Sequence, residues 1–197
     1  MEVNPLATKE EKRIDILNAA IKVISEAGFE GAKIEDIAKE AGIGKGTVYE
    51  YFESKNTLFL EMIHYSVEQY QAGLSKALAE GNNMLAKIRN LSSYCAEFLN
   101  NHLAIANSSI SCGALPEEMR AQMMKDWDII QKTIEDEVRI AIQTSEIRAN
   151  IDPEMATAVI IGGIKQYITK KLFMDRVSLD EINHDGIAKV ILTGLIG

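Results

Sequence analysis

At 197 residues, 47% of them hydrophobic, the chain has room for one large domain or two small ones and ample material for a packed core. Only three prolines, 6% aromatic residues and few alternating β-branched runs exclude a strand-rich fold, so the expectation is an all-α protein. The net charge of −8 with a pI near 5.0 runs against the basic footprint usual for a nucleic-acid binder.

No long apolar run precedes the charges at Lys9 to Arg13, so neither a secretory signal nor a membrane anchor is expected and the predicted location is the cytoplasm. The first predicted helix runs from Glu10 to Ala27 with Ile14, Leu17, Ile21 and Ile24 on one face, and Gly28 closes it as a C-cap. In the next stretch Ile34, Ile37, Ala38 and Ala41 recur at the spacing of one buried helical face, leaving Glu35, Asp36, Lys39 and Glu40 to solvent. Gly42 can take the left-handed conformation that ends a helix, Ile43 supplies an apolar plug, and another helix starts near Lys45. Two short helices at a steep angle across a glycine turn make a helix-turn-helix, with Phe29, Ile34, Ile37, Val48 and Phe52 expected as its core.

Ser54 can cap a long helix over Lys55 to Glu80, roughly 38 Å at about 1.5 Å per residue, which Gly81-Asn82-Asn83 breaks. A helix over Met84 to His102 follows, then a turn-rich loop from Asn107 to Pro116. Pro116-Glu117-Glu118 opens a helix reaching about Ser145, and Asp152-Pro153-Glu154 opens one over Met155 to Met174 with Gly162-Gly163 in its middle. That glycine pair implies close approach of another helix or a bend. A last helix begins at Leu179 and carries Ile182, Ile187, Val190, Ile191 and Leu195. The reading is a helix-turn-helix head over residues 1–54 and a larger helical body over 55–197, about nine helices in all. Cys95 and Cys112 stand apart with no zinc spacing around them, so no metal, cofactor or disulfide framework is expected, and the redox role of either thiol stays open.

The string Gly42-Ile-Gly-Lys-Gly-Thr-Val-Tyr-Glu-Tyr-Phe-Glu-Ser-Lys55 resembles the helix-turn-helix of the tetracycline-repressor (TetR) family of transcriptional regulators. Gly46, Thr47, Tyr49, Tyr51, Phe52, Ser54, Lys55 and Leu58 fall in the family's pattern, and the likeness covers roughly residues 10–60. By that resemblance Lys45 to Phe52 is the recognition helix, with Lys45, Gly46 and Tyr49 toward bases and Thr47, Tyr51 and Lys55 on phosphates. The chemistry agrees, because an ammonium suits guanine O6 and N7, glycine permits close backbone approach, and hydroxyls suit phosphate oxygens. Lys33 is a further phosphate candidate. The plainer alternative makes Tyr49 and Tyr51 core aromatics and the lysines a solvated face.

Two acids sit awkwardly on such a surface. Glu35 and Glu50 would be repelled by phosphate unless paired or aimed at a cytosine amino group. The head as a whole carries eight Lys or Arg against eleven Asp or Glu over residues 1–56, a balance of 8 − 11 = −3, so affinity must come from the placement of charge.

The resemblance further implies a homodimer on a double-stranded, palindromic DNA operator, with Val159, Gly162, Gly163, Tyr167, Ile187, Val190 and Ile191 on the interface. It also implies a small, mostly apolar ligand enclosed by the remaining helices, for which His64, Tyr70, Tyr94, Phe98, His102, Met123, Trp127 and Ile130 are candidates. Most of these could equally be plain core. Two rival readings remain. An enzyme finds no phosphate loop, no nucleophile elbow and no metal-ligand pair to work with, and a helix-turn-helix interaction protein without DNA binding would suit the acidic head.

Overall fold

The computed structural model describes residues 5–101 and 117–195. Among these the chain forms eight α-helices and no strand: α1 (Pro5–Gly31), α2 (Ile34–Glu40), α3 (Lys45–Tyr51), α4 (Lys55–Ala79), α5 (Met84–Asn101), α6 (Glu117–Gln143), α7 (Pro153–Thr169) and α8 (His184–Leu195). His102, Cys112 and the loop expected over Asn107 to Pro116 lie outside the described residues. Two compact units result. One draws on Met1–Glu68 and His102–Met123, the other on Gln69–Asn101 and Met124–Gly197.

The first unit is built around α1, α2 and α3. Ile16, Leu17, Ala20, Ile21 and Ile24 of α1 are buried with Ile34, Ile37 and Ala38 of α2, Val48 of α3, Phe52, and Leu58, Phe59 and Met62 of α4. Ile16 is fully buried on α1, whereas Ile14, which the spacing placed on the buried face, is only half-buried. Gly28 has φ 71° and ψ 169°, a backbone region that is essentially glycine-only. The α1 helix therefore kinks there, and one further turn runs on to Gly31. Gly42 has φ 67° and ends α2 as expected, while Ser54 caps α4 by accepting from the Thr57 N–H at 3.1 Å.

The second unit buries Leu74 and Leu78 of α4, Met84, Ile88 and Leu91 of α5, Ile130, Ile134 and Val138 of α6, Ile160, Ile164 and Ile168 of α7, and Ala188 and Ile191 of α8. Helix α5 packs against both α7 and α8. Its N-terminus is closed by one distant and one local acceptor: the Met84 N–H donates to Glu146 Oε2 at 2.6 Å, and the Ala86 N–H to Asn83 Oδ1 at 2.9 Å. Asp152 caps α7 through the Met155 N–H at 2.8 Å.

Two segments depart from the sequence reading. Helix α7 ends at Thr169 and widens into a π-helical turn over Lys170–Asp175, where Asp175 gathers Lys170 and Lys171 at 2.8 and 2.9 Å. Leu179–Glu181 is a separate 3₁₀ turn, and α8 starts only at His184. The cause is two start signals in a row. Ser178 and Glu181 form a capping box, and Asn183 then accepts from the Gly186 N–H at 2.8 Å, so the chain begins twice what periodicity suggested begins once.

Candidate nucleic-acid interface

The solvent side of the helix-turn-helix is set by what its other side must bury. Ile37, Val48 and Phe52 fill the core, and this leaves Lys45, Gly46 and Tyr49 exposed along α3, with Thr47 half-buried beside them. Tyr49 keeps 46% of its surface open, so it is not a core aromatic, and the Lys45 ammonium stands 6.0 Å from its ring centroid. Tyr51 is half-buried against the core and Lys55 is half-buried with its Nζ 5.2 Å from the Phe59 ring centroid. Lys33 is exposed at the start of α2.

Gly46 carries a specific message. A β-carbon built there would meet nothing within 4 Å, so no contact inside the chain requires glycine. Glycine costs a helix interior about 1 kcal/mol against alanine, so packing within the chain gives no reason for glycine over alanine at this position.

The two acids differ in their surroundings. Glu35 pairs with Lys45 at 2.6 Å, and that hydrogen bond holds the Glu35 carboxyl below its ordinary value and the Lys45 ammonium above its own. Glu50 is exposed on α3. A second pair, Lys22 with Glu40 at 2.6 Å, joins α1 to α2.

One node escaped the sequence reading. Arg13 of α1 donates from Nη1 to the Tyr51 carbonyl at 3.3 Å, donates from Nη2 to Glu61 of α4, and holds its guanidinium 4.8 Å from the Phe52 ring centroid. The partners lie 38 and 48 residues away, beyond any local periodicity. The available hint was that the last turn of α3 carries no basic residue of its own, although cations are favoured there.

In the second unit Tyr70, Tyr94 and Phe98 come together, with ring centroids 4.8 to 6.2 Å apart. The Tyr94 hydroxyl donates to the carbonyls of Gln69 and Tyr70 at 3.2 and 3.1 Å, and its ring occupies the space left by Gly73, where a β-carbon would overlap it. Cys95 shares a 3.3 Å hydrogen bond with the Tyr70 hydroxyl; burial pushes its thiol up to about 11, the setting of an unreactive cysteine. Ile130 is buried. His64 is exposed beside Glu68 at 3.2 Å, and Trp127 is 41% exposed under the Lys165 ammonium. His102 and the side chain of Met123 lie outside the described residues.

Of the residues expected at a dimer face, Val159, Gly162 and Val190 are exposed, and nothing lies within 4 Å of a β-carbon built at Gly162. Gly163 instead faces Ile191, whose Cδ1 would be 3.2 Å from an added β-carbon, and Ile191 is buried. Ile187 is half-buried. Tyr167 is half-buried and its hydroxyl accepts from the Asn183 N–H at 3.3 Å.

A glycine-turned helix pair with an exposed lysine, glycine and tyrosine on its second helix, continued by a helical body, defines a helix-turn-helix transcriptional regulator. Residues 16–62 match the bacterial regulatory proteins of the tetR family, and residues 85–182 match the tetracyclin repressor-like C-terminal domain. The chain is similar to an HTH-type transcriptional regulator in the lacX 3′ region of Lactococcus lactis subsp. lactis, 30% identical over 140 residues that cover 68% of this chain and 70% of the relative. It is also similar to the fatty acid metabolism regulator protein of Bacillus subtilis (strain 168), 23% identical over 176 residues, 85% of this chain and 87% of the relative. Among solved structures, the transcriptional regulator FadR from Bacillus subtilis in complex with stearoyl-CoA superposes with a TM-score of 0.73 at 21% identity, over 93% of this chain and 97% of that one. The chain belongs to the tetR family of bacterial regulatory proteins.

Proposed function

We propose that the chain is a cytoplasmic repressor without enzymatic activity, whose head over residues 1–54 binds a palindromic operator as one half of a homodimer and is released by a small apolar ligand. Lys45, Gly46 and Tyr49 face bases, while Lys33, Thr47, Tyr51 and Lys55 hold phosphates; Glu35 serves to pair Lys45. The observation that carries this reading is the exposed start of α3, where a glycine with open space above it stands between a lysine and a tyrosine.

The dimer face runs along the exposed strip of α7 and α8 through Val159, Gly162 and Val190. Gly162, unexplained within the chain, suits the close approach of a helix from the second copy. For the ligand, the stearoyl-CoA bound by FadR and the name of the Bacillus subtilis fatty acid regulator support an acyl-CoA thioester, its chain lying against Tyr70, Tyr94 and Phe98. Helix α4 begins in the head unit and ends in the second unit, so it is the element through which a ligand changes the spacing of the heads. The shift is limited to the ligand's differential affinity for the two arrangements.

The test is a mobility shift with DNA upstream of the chain's own coding sequence, titrated with salt and with acyl-CoA thioesters of graded chain length. A steep salt dependence and release by a subset of chain lengths are expected. Identical affinity with and without every thioester removes the acyl-CoA reading, and binding without salt dependence favours an interaction protein.

A further inference from the structure

Helix α3 is seven residues long, and so short a helix has little stability of its own. The pose it presents is decided by what grips its ends. Its N-terminus starts from Gly44, whose carbonyl accepts from the Thr47 and Val48 N–H groups. At its C-terminus the chain leaves through Phe52 in extended conformation with its N–H bonded to the Val48 carbonyl, with no left-handed glycine to close the turn. The negative end of the helix therefore stands open at the Tyr51 carbonyl, and the cation that meets it comes from another element, Arg13 of α1.

From these contacts we infer that Arg13 is a positioning residue for DNA binding: it fixes the pose of the recognition helix by holding the Tyr51 carbonyl and the Glu61 carboxylate at the same time, through a guanidinium laid over Phe52. Three elements meet on one side chain, α1 through Arg13 itself, α3 through Tyr51 and α4 through Glu61. The planar fork of an arginine offers donors on separate nitrogens to two acceptors while its plane lies over a ring; a lysine at 13 has all three donors on one nitrogen and cannot span the two acceptors in that geometry. The arrangement also gives α4 a direct hold on α3. A displacement of Glu61 draws on the same guanidinium that secures Tyr51, so the proposed movement of α4 reaches the base-reading residues here. The inference rests on α3 being the recognition helix.

The test takes the full chain as wild type, Arg13→Lys, Arg13→Gln, and the double variant Arg13→Glu with Glu61→Arg. Each is titrated over a range of salt against a duplex that the wild type has selected from a random pool. Arg13→Gln is expected to lower affinity about ten-fold, the scale of a lost charged hydrogen bond, with the salt slope unchanged because no phosphate contact is lost. Arg13→Lys lowers it by less. The double variant restores the ion pair and the thermal stability but leaves the Tyr51 carbonyl without its donor, so affinity stays low.

A salt slope smaller by about one marks Arg13 as a phosphate contact and overturns the inference. So does a double variant that recovers affinity together with stability, since Arg13 would then only tie α1 to α4. If Arg13→Gln does not fold, Arg13→Lys decides, and wild-type affinity in it overturns the inference. A wild type that selects no duplex at all brings down the reading of α3 instead.

Discussion

Replacing Gly46 with alanine should make the protein more stable and a worse DNA binder. Gly46 is the second residue of α3 and is exposed, and a β-carbon added there meets nothing within 4 Å. Its backbone is helical and has no positive φ that only glycine tolerates. With no clash to offset it, the substitution gains the ordinary helix preference of alanine, about 0.5–1 kcal/mol. For a chain of this size that raises the melting temperature by about 2–4 °C at most. On DNA the same methyl group stands where a base edge or phosphate must approach, and operator affinity should fall at least ten-fold, on the order of 1.4 kcal/mol. Differential scanning calorimetry and fluorescence anisotropy on one preparation read the two opposed effects. A stabilised variant that binds its operator as tightly as the wild type would refute the reasoning, because the glycine would then have no outside partner.

Glu35→Gln frees Lys45 from its 2.6 Å pair, and anisotropy should show tighter operator binding with a steeper salt dependence; weaker binding with a changed base preference would instead make Glu35 a reader of cytosine. Gly73→Ala should cost about 1–3 kcal/mol, because the Tyr94 ring must leave its place and give up its bonds to Gln69 and Tyr70; an unchanged unfolding midpoint in urea would mean that the ring relocates freely. His184 is held below its ordinary value near 6.5 by burial, bonded to the buried Ser92 hydroxyl at 2.8 Å. The unfolded chain therefore takes its proton first, and this contribution to stability is complete above about pH 6.5 and is lost as pH falls toward the folded pKa. Denaturant titrations between pH 5 and 7.5 (a window set by that direction of shift) should show this slope, and His184→Asn should flatten it. Val190 is 71% exposed, so Val190→Asp should leave the fold intact yet separate the dimer in sedimentation and weaken operator binding about 10²–10⁴-fold; a monomer with wild-type affinity would show that one head suffices.

How far the sequence could be read follows the range of each interaction. Gly42, Ser54 and Asp152 act within three or four residues, and each turned or capped its helix where the pattern put it. The helix-turn-helix was legible because its glycine, its apolar spacing and its family string all lie within residues 33–55. The Glu35 problem was visible as a charge in the wrong place, while its solution, Lys45 ten residues on, depends on the angle between two helices. Arg13, Tyr51 and Glu61 meet only after three helices have packed. The start of α8 was misplaced for a different reason: Ser178 and Asn183 are both good caps, and hydrophobic spacing cannot choose between successive start signals.

The acidic head then has a physical use. Two of its lysines are occupied by carboxylates, Lys22 by Glu40 and Lys45 by Glu35, so on the proposed reading each head would displace fewer counterions than a basic one and would hold DNA weakly alone. Two weak heads on one dimer gain from being linked, because the second binds at a high effective concentration once the first is down. That gain vanishes when the spacing no longer fits. A strongly basic head would stay bound singly and ignore the spacing, whereas on the proposed mechanism a head as acid-laced as this one would need both contacts, and a small displacement carried by α4 and felt at Arg13 would be enough to let go of the operator.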